Sequence, residues 1–222
     1  MTKGLFVTAT GTDVGKTYIA ALLSKTLRRG GYACGYYKAA VSGAPQNEDC
    51  DADYVNKMAK INDPPEFLLS YRYTHAVSPH LAARWEGNQP EKEVICHDYE
   101  TAKQRHAYLT VEGSGGIVCP IRHDGSAVYY LTDIISWFRL PSVIVSSSGL
   151  GSINSAVLTA HYMRALRLPV KGFILNRYTD TAMERDNAEM IEELTALPVL
   201  ATVAPDEKTL PRSAGFWASL YE

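Results

Sequence analysis

Short apolar runs alternate with amphipathic segments along almost the whole chain. The apolar runs cover residues 5–8, 32–38, 108–112, 142–146, 170–176 and 199–203. Between them, apolar residues recur at helical spacing over residues 19–27, 91–107, 127–139, 152–167, 181–195 and 209–220. Runs of Val, Ile and Leu without alternation are typical of strands that are covered on both faces. The pattern therefore predicts an α/β fold, a parallel sheet with helices on both faces.

The composition suits one domain and argues against several classes of protein. The chain has 222 residues, of which 46% are hydrophobic and 21% charged, so it can bury a core without a metal or a disulfide. Lys plus Arg number 22 and Asp plus Glu 24, which gives a formal net charge of −2. This balance is not that of a protein that coats nucleic acid or an anionic membrane. We expect a single domain over residues 1–222, with neither nucleic acid nor membrane as a partner.

The chain also carries no pattern for export. No apolar run approaches the ~20 residues of a membrane span, and the first residues lead directly into the first apolar run without a signal-peptide pattern. Cys34, Cys50, Cys96 and Cys119 are widely spaced and contain no CxxC pair. Scattered thiols of this kind are typical of reduced proteins. We therefore expect a cytoplasmic protein.

A glycine-rich segment follows the first apolar run and opens the first helical pattern. From Thr10 to Thr17 it reads Thr-Gly-Thr-Asp-Val-Gly-Lys-Thr, with Thr10 at the first glycine of the usual phosphate-loop pattern. In such a loop, backbone N–H groups and the helix N-terminus attract phosphate oxygens. Lys16 would reach the β- and γ-phosphates, and the Thr17 hydroxyl would bind Mg²⁺. The segment predicts a nucleoside triphosphate site.

A second glycine-rich segment, residues 111–116, follows the third apolar run and contains Glu112. A carboxylate there can bind Mg²⁺, although a solvated turn at a strand end is the alternative. Lys38 ends the second apolar run, so it is expected at the same carboxyl edge of the sheet, where ligands bind. Lysines, a hydroxyl and carboxylates around a triphosphate favour phosphoryl transfer.

Three further features each allow two interpretations. Asp51 and Asp53 are candidates for a metal ligand or for the N-cap of the helix expected over 54–60. Residues 148–155 form either a plain glycine loop before a helix or an anion site at that helix N-terminus. Asn176 follows a buried run and is either a turn residue or an amide that contacts a base.

In order along the chain, these segments resemble the dethiobiotin synthetases, ATP-dependent ligases of biotin synthesis. The resemblance extends from Phe6 to at least Pro205. The segments that carry it are residues 7–17, 35–43, 50–52, 77–80, 111–116, 150–154, 158–159 and Asn176. The phosphate loop, Lys-x-x-x-Ser-Gly at 38–43 and Leu-Gly-Ser-Ile-Asn at 150–154 are together specific for the family.

The resemblance implies a homodimer with a P-loop NTPase-like fold that uses ATP and Mg²⁺. Its substrates would be 7,8-diaminononanoate and carbon dioxide or bicarbonate, and its products dethiobiotin, ADP and phosphate. One amine would become a carbamate, whose attack on the γ-phosphate gives a carbamic–phosphoric anhydride. The second amine would then close the ring and release phosphate.

The resemblance also assigns roles to matching positions. Catalysis is assigned to Thr12, Lys16 and Lys38, and Mg²⁺ to Thr17, Asp51 and Glu112. Nucleotide binding is assigned to Asp13, Val14, Gly15, Lys16, Thr17, Tyr18, Asp51, Glu112, Gly113, Ser114, Gly115, Asn176, Arg177, Ala204 and Pro205. Substrate binding is assigned to Ser42 and, from the partner subunit, to Leu150, Gly151, Ser152, Ile153 and Asn154.

Three positions depart from the family pattern. Ala39 replaces a proline, Asp13 replaces the more common glutamate, and Ser155 replaces a histidine. None of these changes removes a catalytic group, although Ser155 adjoins the assigned carboxylate site.

Two other classes of protein share such a phosphate loop. Nucleotide-switch ATPases of chromosome partitioning or division-site placement carry a signature lysine where this chain has Gly11, and the division-site members add a basic C-terminal helix that is absent here. Amidoligases of corrin synthesis usually carry a glutaminase domain, for which this chain is too short. The sequence therefore favours the dethiobiotin ligase.

Overall fold

The structure is a computed structural model that describes residues 2–222. Its strands are β1 (Lys3–Ala9), β2 (Cys34–Val41), β3 (Leu69–Arg72), β4 (Tyr108–Glu112), β5 (Pro120–His123), β6 (Val128–Tyr130), β7 (Ser142–Ser147), β8 (Val170–Asn176) and β9 (Val199–Val203). Its helices are α1 (Lys16–Arg29), α2 (Asp51–Ala59), α3 (Pro79–Glu86), α4 (Lys92–Lys103), α5 (Leu131–Phe138), α6 (Ser152–Ala165), α7 (Ala182–Thr195) and α8 (Ala214–Ala218).

Seven of these strands form one parallel sheet, in the order β3-β2-β4-β1-β7-β8-β9. β5 and β6 form a separate antiparallel hairpin. Because all strands of the main sheet run in one direction, their carboxyl ends meet along a single edge. The prediction of an α/β, P-loop NTPase-like parallel sheet is confirmed.

Alternate side chains of each strand enter cores on opposite faces of the sheet. On β1, Leu5 and Val7 join the core covered by α1, α2 and α8, whereas Phe6 joins the core covered by α3 to α7. Burial of each such side chain contributes roughly 1.5–3 kcal/mol. The two cores hold the strands rigidly and leave their carboxyl ends free to support a site.

Several boundaries expected from the sequence are wrong because of neighbours distant in sequence. β2 continues past Lys38 to Val41, since the edge strand β3 pairs beside it. That edge strand lies between the apolar runs 32–38 and 108–112, where no strand was expected. The expected helix over 127–139 begins with β6 instead, because its first residues pair with β5.

Two helices also differ from expectation. α2 starts at Asp51 rather than at residue 54, with Cys50 as its N-cap. The final helix spans only Ala214–Ala218 instead of 209–220, because Pro211 has no N–H and disfavours a helical residue before it. By contrast, α1 contains the whole of the predicted helical pattern 19–27 and ends beside Gly30.

Two whole-chain properties bear on the expected compartment. Over residues 2–222, no helix has the length and apolar character needed to cross a membrane. The cysteines Cys34, Cys50, Cys96 and Cys119 are free thiols.

Candidate active site

Residues 10–15 connect β1 to α1 at the carboxyl edge of the sheet. Asp13 and Gly15 have positive φ angles of 59° and 91°. A Cβ atom on Gly15 would lie 2.1 Å from Asn176 Nδ2, so only glycine fits there. Asn176 Nδ2 also donates to the carbonyl of Val14 at 2.9 Å. The end of β8 thus holds the loop, and α1 begins without a side-chain cap, which leaves its first N–H groups available to an anion.

The loop borders an open cavity of about 1000 Å³. Most of the predicted phosphate, metal and carbamate residues line it. They are Thr12, Asp13, Gly15, Lys16, Thr17, Tyr18, Lys38, Ser42, Asp51, Glu112, Ser114, Gly115 and Arg177. The structure therefore brings together residues that are separated by up to about 165 positions in the chain.

Lys38 lies between two carboxylates at the base of this cavity. Its Nζ is 2.5 Å from Asp51 Oδ2 and 2.8 Å from Glu112 Oε1. The pair with Glu112 follows directly from the sheet, since Lys38 on β2 lies opposite Glu112 on β4. The Lys38 side chain is 4% exposed and that of Glu112 is fully buried, whereas Asp51 is 39% exposed. The outer carboxylate thus faces the open cavity.

Together, burial and the close packing of charged groups raise the pKa of Lys38 and lower the pKa values of Lys16 and Asp51. Burial alone would lower the pKa of Lys38, but Glu112 and Asp51 together raise it above the ordinary lysine value. For Lys16, burial and the charge of Lys38 lower the pKa, against the opposing effect of the two carboxylates. Burial would raise the pKa of Asp51, but the Lys38 ammonium lowers it. Both shifts at the Lys38–Asp51 pair therefore favour the charged forms.

Glu112 is the centre of a hydrogen-bond network. Its Oε1 accepts from the Thr17 hydroxyl at 2.7 Å as well as from Lys38, and its Oε2 accepts from the Tyr36 hydroxyl at 2.8 Å. Sequence reasoning missed Tyr36. The available signal was its position two residues before Lys38 on the same strand, which puts both side chains on one face of the sheet.

The structure distinguishes the two aspartates of α2. Asp51 lies in the cavity, whereas Asp53 accepts from the backbone N–H of Cys50 at 3.0 Å and lies 3.6 Å from Arg72. Residues two apart in a helix point roughly 200° apart, so both cannot face the same site. Asp51 therefore faces the cavity beside Lys38, and Asp53 caps the helix.

The segment 113–115 is packed tightly behind the cavity. The Ser114 hydroxyl donates to the carbonyl of Ala40 at 2.6 Å. A Cβ atom on Gly113 would lie 2.8 Å from Leu131, and Gly115 has a φ of 61°. These contacts fix the segment that follows Glu112.

The segment 150–154 lies apart from the phosphate cavity in one chain. Leu150 is 95% exposed, and α6 begins after Gly151, whose φ is 88°. Only Asn154 of this segment lines a cavity, an adjoining one of about 1290 Å³. That second cavity shares Thr12, Asp13, Ser42, Gly43, Ser114 and Gly115 with the first. Within the described residues 2–222, Leu150, Gly151, Ser152 and Ile153 line neither cavity.

Of the residues predicted to contact the adenine, only some line the phosphate cavity. Arg177 lines the phosphate cavity, and Asn176 is buried against its loop. Ala204 and Pro205 are exposed in the turn after β9 and do not line the cavity. Ala204 and Pro205 are nevertheless close to Asn176, because Asn176 lies opposite Val203, the residue directly before Ala204.

This arrangement can stabilise the transfer of a phosphoryl group. Two lysines and free helix N–H groups supply positive charge, and two carboxylates with one hydroxyl supply oxygen ligands for a divalent cation. Catalysis of phosphoryl transfer depends mainly on such positioning and charge stabilisation.

The family model described as AAA domain matches residues 3–213. An ATP-dependent dethiobiotin synthetase from Brachyspira hyodysenteriae is 49% identical over 204 residues, which are 91% of this chain and 92% of the relative. A second, from Clostridium botulinum strain Eklund 17B, is 47% identical over 204 residues, which are 90% of this chain and 89% of that protein. The chain belongs to the dethiobiotin synthetase family. The predicted enzyme class, an ATP-dependent ligase of biotin biosynthesis, is confirmed by this membership.

Two solved structures with the same fold have much lower identity to this chain. A ParA family ATPase from Chlorobium tepidum has a TM-score of 0.57 at 17% identity and covers 93% of this chain and 86% of its own. The septum site-determining protein MinD from Pyrococcus horikoshii, complexed with Mg-ADP, has a TM-score of 0.55 at 14% identity and covers 99% and 90%. These likenesses show the fold alone and give no support to the nucleotide-switch alternative.

Proposed function

We propose that this synthetase converts 7,8-diaminononanoate, carbon dioxide and ATP to dethiobiotin, ADP and phosphate in the cavity around Lys16 and Lys38. The observation that carries the proposal is the placement of the Lys38 ammonium beside the phosphate loop, held by Asp51 and Glu112. A buried cation there suits two anions that must meet, a carbamate and a γ-phosphate.

The phosphate loop would bind the triphosphate. The segment of Asp13, Val14, Gly15, Lys16, Thr17 and Tyr18 would surround the phosphates, with Lys16 stabilising the transferring group. Glu112, Gly113, Ser114 and Gly115 would border the nucleotide and the substrate. Asn176, Arg177, Ala204 and Pro205 would contact the adenine, because the ends of β8 and β9 lie side by side next to the loop.

Thr17, Asp51 and Glu112 fit a Mg²⁺ ion. Their oxygens converge around Lys38, and hard oxygen ligands of this kind are those that Mg²⁺ prefers. The bound ion would neutralise charge on the β- and γ-phosphates. In this proposal Thr17 and Glu112 keep their mutual contact of 2.7 Å at the buried end, and Asp51 approaches from the open side.

The chemistry proceeds in three balanced steps. One substrate amine adds to carbon dioxide and loses a proton, which gives a carbamate placed by Thr12, Lys38 and Ser42. A carbamate oxygen then attacks the γ-phosphorus as the bond to ADP breaks, and Lys16 and Lys38 stabilise the charge that develops. The second amine attacks the carbamoyl carbon, the carbon–oxygen bond to phosphate breaks, and a proton is lost as the ring closes.

We also propose that the substrate carboxylate binds at the start of α6 of a partner subunit, in a homodimer. Leu150, Gly151, Ser152, Ile153 and Asn154 would form that site, because a helix N-terminus attracts an anion. Exposed apolar side chains on this side of the molecule, Val118 at 57%, Leu150 at 95% and Leu158 at 61%, support a covered interface.

The setting follows from the same properties. We propose that residues 1–222 act as one domain in the cytoplasm, without nucleic acid or membrane as a partner. The near balance of 22 basic and 24 acidic residues and the small-molecule cavity support this setting.

The test is an assay of product formation. Purified enzyme with MgATP is expected to release ADP only when both 7,8-diaminononanoate and bicarbonate are present, and mass spectrometry should detect dethiobiotin. ATP turnover that is unchanged without the diamine, with no dethiobiotin formed, would refute the proposal.

A further inference from the structure

The Tyr36 hydroxyl is a buried polar group that the proposed reaction does not use. It donates to Glu112 Oε2 at 2.8 Å, and Tyr36 is 0% exposed. A phenol has one O–H donor and an ionised carboxylate has only acceptors, so the hydrogen bond runs from Tyr36 to Glu112. The roles proposed above for the phosphate loop and the substrate-binding residues do not explain why Tyr36 contacts Glu112.

The contact matters because of the acceptor capacity of Glu112. An ionised carboxylate has about four acceptor positions, two on each oxygen. Thr17 and Lys38 take those of Oε1, and Tyr36 takes one on Oε2. Three donors, Thr17 on α1 and both Lys38 and Tyr36 on β2, therefore hold the carboxylate plane that determines its direction, and Tyr36 alone holds the Oε2 end.

Tyr36 is well placed to hold that direction. It lies on β2 opposite Thr110 of β4, two residues before Lys38 and on the same face of the sheet. Its ring belongs to the fully buried core under α1 and α2, so the hydroxyl has no room to move away from Glu112. A hydroxyl on a rigid ring orients a ligand better than one on a mobile side chain.

We propose that Tyr36 is a positioning residue for the divalent cation, because its hydroxyl holds Oε2 and so fixes the direction in which the Glu112 carboxylate faces the metal site proposed with Thr17 and Asp51. The inference rests on the assignment of Glu112 to Mg²⁺ in the proposed function. It does not depend on the identity of the carboxylated substrate.

The neighbouring tyrosine provides a matched control. Tyr37 is 1% exposed, and its hydroxyl also has buried partners, Ser70 Oγ at 2.7 Å and the carbonyl of Ile95 at 3.0 Å. Its ring points to the opposite face of the sheet, in the core under α4 and α5. Tyr37→Phe therefore removes an equally buried hydroxyl without touching the site.

The experiment measures the affinity for ATP by isothermal titration calorimetry, without diamine, once in EDTA and once in saturating Mg²⁺. The ratio of the two dissociation constants reports how much the metal strengthens nucleotide binding. Loss of a partner that orients a metal ligand typically lowers metal affinity about 10–100-fold. We expect Tyr36→Phe to lower the ratio about tenfold and Tyr37→Phe to leave it within about twofold, while both lower the melting temperature.

The outcomes separate this inference from the proposed function. An unchanged ratio in Tyr36→Phe, or an equal loss in Tyr37→Phe, overturns the positioning role even if dethiobiotin is formed. A wild-type ratio near one overturns the metal assignment and the inference together. Tyr36→Met keeps much of the apolar volume and is a second variant without the hydroxyl. An unchanged ratio in that variant would also contradict the positioning role.

Discussion

Replacement of Lys38 by alanine removes the cation that links Asp51 and Glu112. The Glu112 side chain is fully buried and would keep only the donors Thr17 and Tyr36. Without the ammonium, two carboxylates are left close together with no opposing charge between them. The variant therefore tests both the stability and the chemistry attributed to this residue.

An exposed ion pair in the same chain serves as a comparison for the stability that Lys38→Ala should lose. Breaking a buried ion pair by removal of one partner costs about 3–5 kcal/mol. Lys57 forms a pair with Asp49 at the same 2.5 Å separation, but these side chains are 66% and 65% exposed. Exposed pairs contribute only about 0–1 kcal/mol. Lys38→Ala should thus lose about 3 kcal/mol of unfolding free energy, and Lys57→Ala less than about 1 kcal/mol.

The assays are urea denaturation, calorimetric MgATP binding and diamine-dependent ADP release. We expect Lys38→Ala to lower turnover at least about 100-fold, because the ammonium stabilises charge that develops in the transition state. MgATP affinity should stay within about tenfold, since that charge is absent from the bound ground state. Lys57→Ala should keep turnover near the wild-type value.

Two results would refute this reasoning. Equal losses of stability in Lys38→Ala and Lys57→Ala would show that burial does not govern the strength of these pairs. Near-normal turnover in folded Lys38→Ala would remove Lys38 from the mechanism.

Four further variants test the metal ligand, the phosphate loop and the hydrogen bonds of Glu184. Asp51→Asn should raise the Mg²⁺ concentration for half-maximal turnover about tenfold or more. Asp53→Asn should leave that concentration unchanged and cost less than about 1 kcal/mol of stability, because the amide oxygen can still accept from the Cys50 N–H. Equal metal dependence in both variants would contradict the assignment. Gly15→Ala should abolish measurable ATP binding in calorimetry, because its Cβ would clash and its φ is 91°, and normal binding would disprove the need for glycine. Hydrogen bonds from the Ser148 hydroxyl, and also from backbone and threonine donors, lower the pKa of Glu184 from 4.5 to about 2. The stability that the Glu184 carboxylate contributes is therefore present above pH 4.5 and lost as pH falls toward 2. The difference in melting temperature between wild type and Glu184→Gln should shrink over that range, and a constant difference would contradict the pKa shift.

The central strands of the main sheet could be predicted because each is an apolar run that is visible in the sequence without knowledge of the neighbouring strands. β3 and β6 could not be predicted, because they are short and form only where β2 and β5 offer an edge. Pairing of that kind depends on tertiary contacts, which local sequence does not encode.

The site was predictable where it follows from the strand ends. Lys16, Lys38 and Glu112 come together because parallel strands in register bring their carboxyl ends to one edge. The choice between Asp51 and Asp53 needed the first residue of α2, since one residue rotates a helix by about 100°. Tyr36 was missed because a tyrosine inside an apolar strand has the pattern of a core residue, and only the structure shows its hydroxyl at Glu112.

The central claim is that a carbamate oxygen attacks the γ-phosphate in the cavity around Lys38. Bicarbonate labelled with ¹³C and ¹⁸O tests it in one reaction, because the attacking oxygen leaves with the phosphate while the carbon stays in the ring. Mass spectrometry of wild-type products should show ¹³C in dethiobiotin and one ¹⁸O atom from the bicarbonate in the released phosphate. Labelled dethiobiotin together with phosphate that carries no ¹⁸O would contradict the claim.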